Sequence, residues 1–378
     1  MCKRILNRFR ERKNKKKSEE EIAKAKEAAH EKMQHLYAAI NKLSEDTVTL
    51  YDRVEDYFFQ DIDFQMFKGV LPLWIADAGR SPECAMSRID YDKYRRIYND
   101  SISNRVIHWY DVQNIISALQ DRISATERYL REIFHVIPAY CLYSDSEYSG
   151  AIRDLGYSSD QLHAKINNVF VSLSSAFDLF TKIVYECANY SPNGFSTYTR
   201  LKSRKNSILY KKINYGFDEL KQSGLLYDEP ACIRTICSFR DEFIHCGSWD
   251  YRCAIYYPHI DGEPVEAFIL MPDVEPSGIL VSSGSRNKFY ATGAKINTLL
   301  PDLVAEVVKV LSKTEEKLKE VLVSKTNPVP DNDKEKNAVA YMKALDEYLI
   351  RLRETNKTKI QRKLISIWSW FCNHILCG

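Results

Sequence analysis

The segment Cys237-Ser238-Phe239-Arg240-Asp241-Glu242-Phe243-Ile244-His245-Cys246-Gly247 sets an arginine five positions before a histidine, with an acid directly after the arginine. Arginine is always charged and can bond two oxygens at once, so it suits a phosphorus centre that is gaining negative charge. Histidine takes and gives protons near neutral pH. Together they fit acid–base chemistry on a phosphodiester. RNA carries its own nucleophile, the 2′-hydroxyl, so that chemistry needs neither a protein nucleophile nor a metal, and it would leave a 2′,3′-cyclic phosphate. On a helix, five positions turn the two side chains about 140° apart. They converge only because the helix ends there, or because something else approaches from the side. Asp241 either holds the arginine or the histidine in place or is a solvated helix carboxylate.

The same spacing class, Arg-x(4–6)-His, recurs as Arg128/His135 and Arg252/His259. Context separates the three. Arg252 and His259 fall across a predicted strand, and Arg128 is followed by Tyr129 inside a helix that continues. Only Arg240/His245 combines a polar follower, a helix end and a preceding amphipathic helix. There is no glycine-rich phosphate loop, His-Glu-x-x-His or Gly-x-Ser-x-Gly, and 13 glycines leave little room for a dinucleotide fold. The ten cysteines form no Cys-x-x-Cys pair. The group Cys232, Cys237, Cys246 and Cys253 near His245 fits no ligand spacing, so neither metal nor cofactor is expected.

The elements that would position the pair are mostly helical. Leu162, Ile166, Val169, Phe170, Leu173, Ala176, Phe177, Phe180, Ile183, Val184 and Cys187 recur at steps of three and four, predicting a helix over 159–189 at the centre of a bundle. Helices are also predicted over 18–43, 47–68, 104–136, 207–222, 229–245, 299–323 and 334–353, with Gly247 a C-terminal cap and 69–101 an irregular connection. Around Asp261-Gly262 the period switches to two, which predicts a hairpin of 253–260 with 264–270. Two further short strands are expected near 278–282 and 288–290. Asn327–Asp333 reads as a linker. The organisation is then a basic tail (1–17), a helical N-terminal region (18–150), a bundle with a β insertion at 252–290 (151–326) and a C-terminal helical extension (334–378).

Arg-x(4–6)-His at a helix end inside a helical bundle resembles the HEPN superfamily, and residues 159–325 would carry the likeness. The resemblance implies a mainly α fold: a HEPN-like bundle of four or five helices, here with a small β-hairpin insertion that departs from the minimal bundle and with helical extensions at both ends. It implies a metal-independent endoribonuclease of the toxin or antiviral kind, with Arg240, His245 and Asp241 at the catalytic centre. The family is often dimeric, two protomers facing one cleft, and an inhibitor or sensor protein is a further expected partner. The alternative is a non-catalytic member that binds RNA, nucleotide or a protein partner as a sensor or assembly subunit.

Charge placement bears on substrate. The net charge of +3 hides nine Lys or Arg against one acid in residues 1–17, on a remainder with 45 bases against 50 acids. Tyr198, Arg200, Lys202, Arg204, Lys205, Tyr210, Lys211 and Lys212 make a stretch of six bases and two tyrosines without an acid. Phosphate contacts with stacking aromatics hold single-stranded RNA in this way; the bland reading is a solvated loop entering a helix. Lys357, Lys359, Arg362 and Lys363 precede an apolar stretch containing Trp368 and Trp370. That stretch is too short to span a bilayer but suits peripheral membrane contact, or a packing helix. With no apolar run behind the basic start, a cytoplasmic location is expected.

Overall fold

The computed structural model describes residues 17–67, 75, 77–79, 81–97, 101–144, 150–190, 217–250, 254–283, 287–327 and 329–375, the last twenty by backbone alone. Eight α-helices lie among them: α1 (Glu19–Phe58), α2 (Phe64–Phe67), α3 (Arg88–Ile97), α4 (Ser101–Val136), α5 (Tyr157–Ala188), α6 (Ala231–Cys246), α7 (Ile296–Lys325) and α8 (Asp331–Ile375). The protein is mainly α with a small antiparallel β part. Strand β1 (Ala151–Asp154) pairs with β2 (Ile255–Ile260), which pairs with β3 (Glu263–Pro264); β4 (Ser282–Ser283) pairs with β5 (Asn287–Lys288). The chain divides into two compact units, one of 1–54, 112–190 and 199–324, the other of 55–111, 191–198 and 325–378.

In the first unit the expected central helix is present as α5, and every residue of its predicted stripe is buried. Each fully buried Leu, Ile, Val or Phe contributes about 1.5–3 kcal/mol, so this face anchors the unit. Asp261 and Gly262 both have positive φ, 54° and 84°, the two-residue turn that Asp-Gly favours. Behind the hairpin, Tyr256 and Phe268 exchange backbone hydrogen bonds at 2.8 and 3.0 Å and stack with ring centroids 5.4 Å apart. Asn297, fully buried on the first turn of α7, donates to the carbonyls of Pro138 and Ala267 at 2.7 and 2.9 Å and accepts from Ile269 N–H at 3.2 Å. One amide side chain thus ties together the end of α4, the β segment and α7.

The second unit is built around Phe58, His108 and Trp109. His108 stacks on Phe58 at 5.2 Å, and the buried Arg105 donates to the Phe58 carbonyl and pairs with Asp61.

Several elements differ from the sequence reading. The helix expected over 18–43 runs on to Phe58 as α1, because Leu43, Thr47 and Leu50 stay buried in sequence and nothing breaks the chain between them; the helix expected over 47–68 is interrupted by a turn at 59–63 before α2. The connection 69–101 contains α3, an amphipathic ten-residue helix. Helix 207–222 is replaced at its end by 3-10 turns at Asp218–Lys221 and Leu226–Asp228; its earlier part lies outside the described residues. Pro330 closes the expected linker by accepting from Asp333 and Lys334, so α8 begins at Asp331 and runs on to Ile375. Strand β1 is not expected from the sequence: four residues carry too little alternation, and the pairing with β2 makes it a strand.

Candidate active site

Helix α6 carries the pair. It buries Cys232, Ile233, Thr235, Ile236, Phe239 and Phe243 and packs against α5. Phe170 of α5 stacks on Phe239 at 4.6 Å and meets Phe243 at 5.7 Å. Trp249, buried just beyond the helix, closes the cluster at 5.4 Å from Phe239 and 5.2 Å from Phe243. His163 packs against Trp249 at 5.3 Å, and burial lowers its pKa against the pull of Asp250. The helix stops at Cys246, with Gly247 at φ 88° donating to the Phe243 carbonyl. The end of α6 is therefore fixed by an aromatic core beneath it, and its polar face is left outward.

On that face Arg240 is about one-third exposed and its Nη1 donates to Asp241 Oδ1 at 2.8 Å. Asp178, half-buried on α5, lies within the electrostatic reach of both. Burial raises its pKa, Arg240 and Lys182 pull it back, and Asp241 raises it further. Arg240 is thus gathered with Asp241 and Asp178, and it spends one N–H of its five on Asp241. His245 is exposed, as is Ile244 beside it. Because the helix is continuous through both positions, their side chains diverge by about 140° and are offset about 7.5 Å along the axis. No hydrogen bond or ion pair joins Arg240 to His245 among the described residues.

Glu242, on the same turn, forms a nearly buried ion pair with Lys288 of β5 at 2.8 Å. Leu280 N–H donates to Ser238 Oγ at 3.1 Å. The β segment therefore braces α6 along a flank next to the face packed on α5. Sequence reasoning does not single out Asp178, Lys182, Glu242 or Trp249. Asp178 and Lys182 are legible only as a charged i,i+4 pair beside the α5 stripe, and Trp249 only as an aromatic two residues past a capping glycine.

The two other Arg-x-His spacings resolve differently. Arg128 lies over the Tyr129 ring at 5.5 Å, and α4 continues past it. His259 sits on β2 with Nδ1 at 2.7 Å from the Tyr257 carbonyl. Among the described residues no three His, Cys, Asp or Glu side chains are grouped as metal ligands. Tyr198, Arg200, Lys202, Arg204, Lys205, Tyr210, Lys211 and Lys212 lie outside the described residues, as do Cys253, Arg252, the tail 1–16 and the side chains of Trp368 and Trp370.

No protein-family model matches the chain, and no curated protein or solved structure matches it either. The geometry of α6 must carry the functional reading by itself.

Proposed function

We propose that this chain is a HEPN-like, metal-independent endoribonuclease. The RNA 2′-oxygen attacks the adjacent phosphorus, the O2′–P bond forms, and the P–O5′ bond breaks to leave a 2′,3′-cyclic phosphate and a 5′-hydroxyl. His245 takes the 2′ proton or gives one to the departing 5′-oxygen. Arg240 faces the charge on the five-coordinate phosphorus. The observation that carries the reading is an exposed histidine and an acid-held arginine at a helix end that is clamped from below. Since the two side chains diverge on one helix, the complete centre is composite: the ends of α6 from two copies face one cleft in a homodimer. Asp241, with Asp178 behind it, orients the arginine. Residues 198–212 hold the RNA, the protein works in the cytoplasm, and its role is that of a toxin or antiviral effector held by an inhibitor or sensor protein.

The Arg240–Asp241 ion pair also favours a second reading, a non-catalytic module that binds RNA, nucleotide or a protein. One experiment separates them. Purified protein, Arg240→Ala and His245→Ala are incubated with RNA in EDTA and the ends are analysed. Loss of about 100-fold or more of cleavage in each variant, with cyclic phosphate ends in the wild type, is expected. Cleavage untouched by His245→Ala sinks the assignment; binding without cleavage moves it to the second reading.

A further inference from the structure

Within the first unit, α1, the last turns of α4 and residues 138–140 line an open cleft of about 380 Å³. Lys26, His30 and Tyr37 come from one face of α1; Arg131 and His135 sit four apart on α4. No Asp or Glu lines the cleft among the described residues. The larger groove between α1 and α7 is different: it interleaves lysines with Asp46, Asp302 and Glu316, and Lys32 and Lys42 are paired there at 2.7 Å with Asp302 and Asp46.

Lys26 with His30, and Arg131 with His135, are i,i+4 neighbours, each pair on one face of its helix. Both pairs line the same cleft. Arg131 is held in place. Its Nε and Nη2 donate to Glu127 Oε1 at 2.8 and 2.6 Å, and the guanidinium lies 3.9 Å from the Tyr37 ring centroid. Nη1 stands outside that pair. Burial pushes the Tyr37 hydroxyl above its ordinary pKa, so it remains a neutral donor. Phe134, Pro138 and Tyr140 add an apolar wall. The volume lies at the small end of ligand sites.

We propose that the cleft lined by Lys26, His30, Tyr37, Arg131, His135 and Tyr140 binds a small phosphate monoester. A dianionic phosphate matches the cations of Lys26 and Arg131 and the ring N–H groups of His30 and His135, and the apolar wall receives the organic portion. This site does not depend on the reading of α6.

The test is isothermal titration of the full chain with adenosine 5′-monophosphate, ribose 5-phosphate and adenosine. The nucleotide should bind at least about tenfold more tightly than adenosine, the contribution of charge-assisted bonds to the phosphate. Ribose 5-phosphate binding as well as the nucleotide assigns the site to sugar phosphates; a tighter nucleotide assigns it to mononucleotides. Arg131→Gln should weaken binding about tenfold or more. His135→Gln, an exposed position, should weaken it too and serves where Arg131→Gln melts early. The proposal is overturned if neither phosphate binds, if adenosine binds as well as the phosphates, or if both variants bind like wild type.

Discussion

Two buried titratable side chains make the stability of the first unit depend on pH in opposite directions. Glu315 on α7 is 2% exposed and pairs with Lys319 at 3.0 Å. Burial outweighs that partner and pushes its pKa up to about 7 from 4.5. The folded chain therefore holds a proton that the unfolded chain has released between about pH 4.5 and 7, and stability falls as pH rises through that window. At 1.36 kcal/mol per unit this is on the order of 3 kcal/mol. Lys319 also donates to Thr49 Oγ1 and the Asp46 carbonyl, so it keeps partners without the charge on Glu315. Glu315→Gln should be the more stable protein at pH 8 and should lose most of this slope in urea titrations; a variant with the wild-type slope would show that Glu315 is not its source. His163 acts the other way. Its lowered folded pKa gives a contribution that is whole above pH 6.5 and shrinks as pH falls below it. His163→Phe should remove that acid-side loss.

At the scale of elements, α6 is only as well placed as its brace. Gly278 has φ 90°, and a Cβ there would stand 2.2 Å from the Ala231 carbonyl oxygen, which is backbone and cannot swing away. Gly278→Ala must displace the start of α6 or the loop, at a cost of about 2–5 kcal/mol, and cleavage should fall with the loss of placement. The Glu242–Lys288 pair is nearly buried on both sides. Glu242→Ala leaves the ammonium uncompensated and should cost about 3–5 kcal/mol, whereas Glu242→Leu with Lys288→Met should recover most of it. Thermal melts of the single and double variants check this; equal losses in both would mean that the pair does not brace the helix.

Over the whole molecule the small net charge is a sum of unlike parts. A basic start, a basic middle stretch and four bases near the end accompany an otherwise acidic chain. No described helix is long and apolar enough to cross a membrane. If residues 198–212 hold RNA, replacing Arg200, Lys202, Arg204, Lys205, Lys211 and Lys212 by Gln should weaken binding. The slope of log affinity against log salt should also fall by about 0.7 for each phosphate no longer neutralised. Neutralising the bases of residues 3–17 should leave cleavage of a short RNA unchanged. The reverse pattern would assign substrate binding to the tail.

What the sequence determined by itself was local. The α5 stripe, the cap at Gly247 and the Asp261-Gly262 turn were legible because each depends on periodicity or backbone freedom within a few residues. Arg240, Asp241 and His245 were legible as residue types in a spacing. What only the tertiary structure decided was which distant groups stand beside them. Asp178 reaches Arg240, Lys288 pairs with Glu242 and Trp249 seals Phe239 and Phe243 because α5 and the β segment close on α6. The cleft that gathers Lys26 and His30 with Arg131 and His135 is of the same kind. Such meetings are set by the burial of whole helix faces against one another, and spacing along one chain does not specify them.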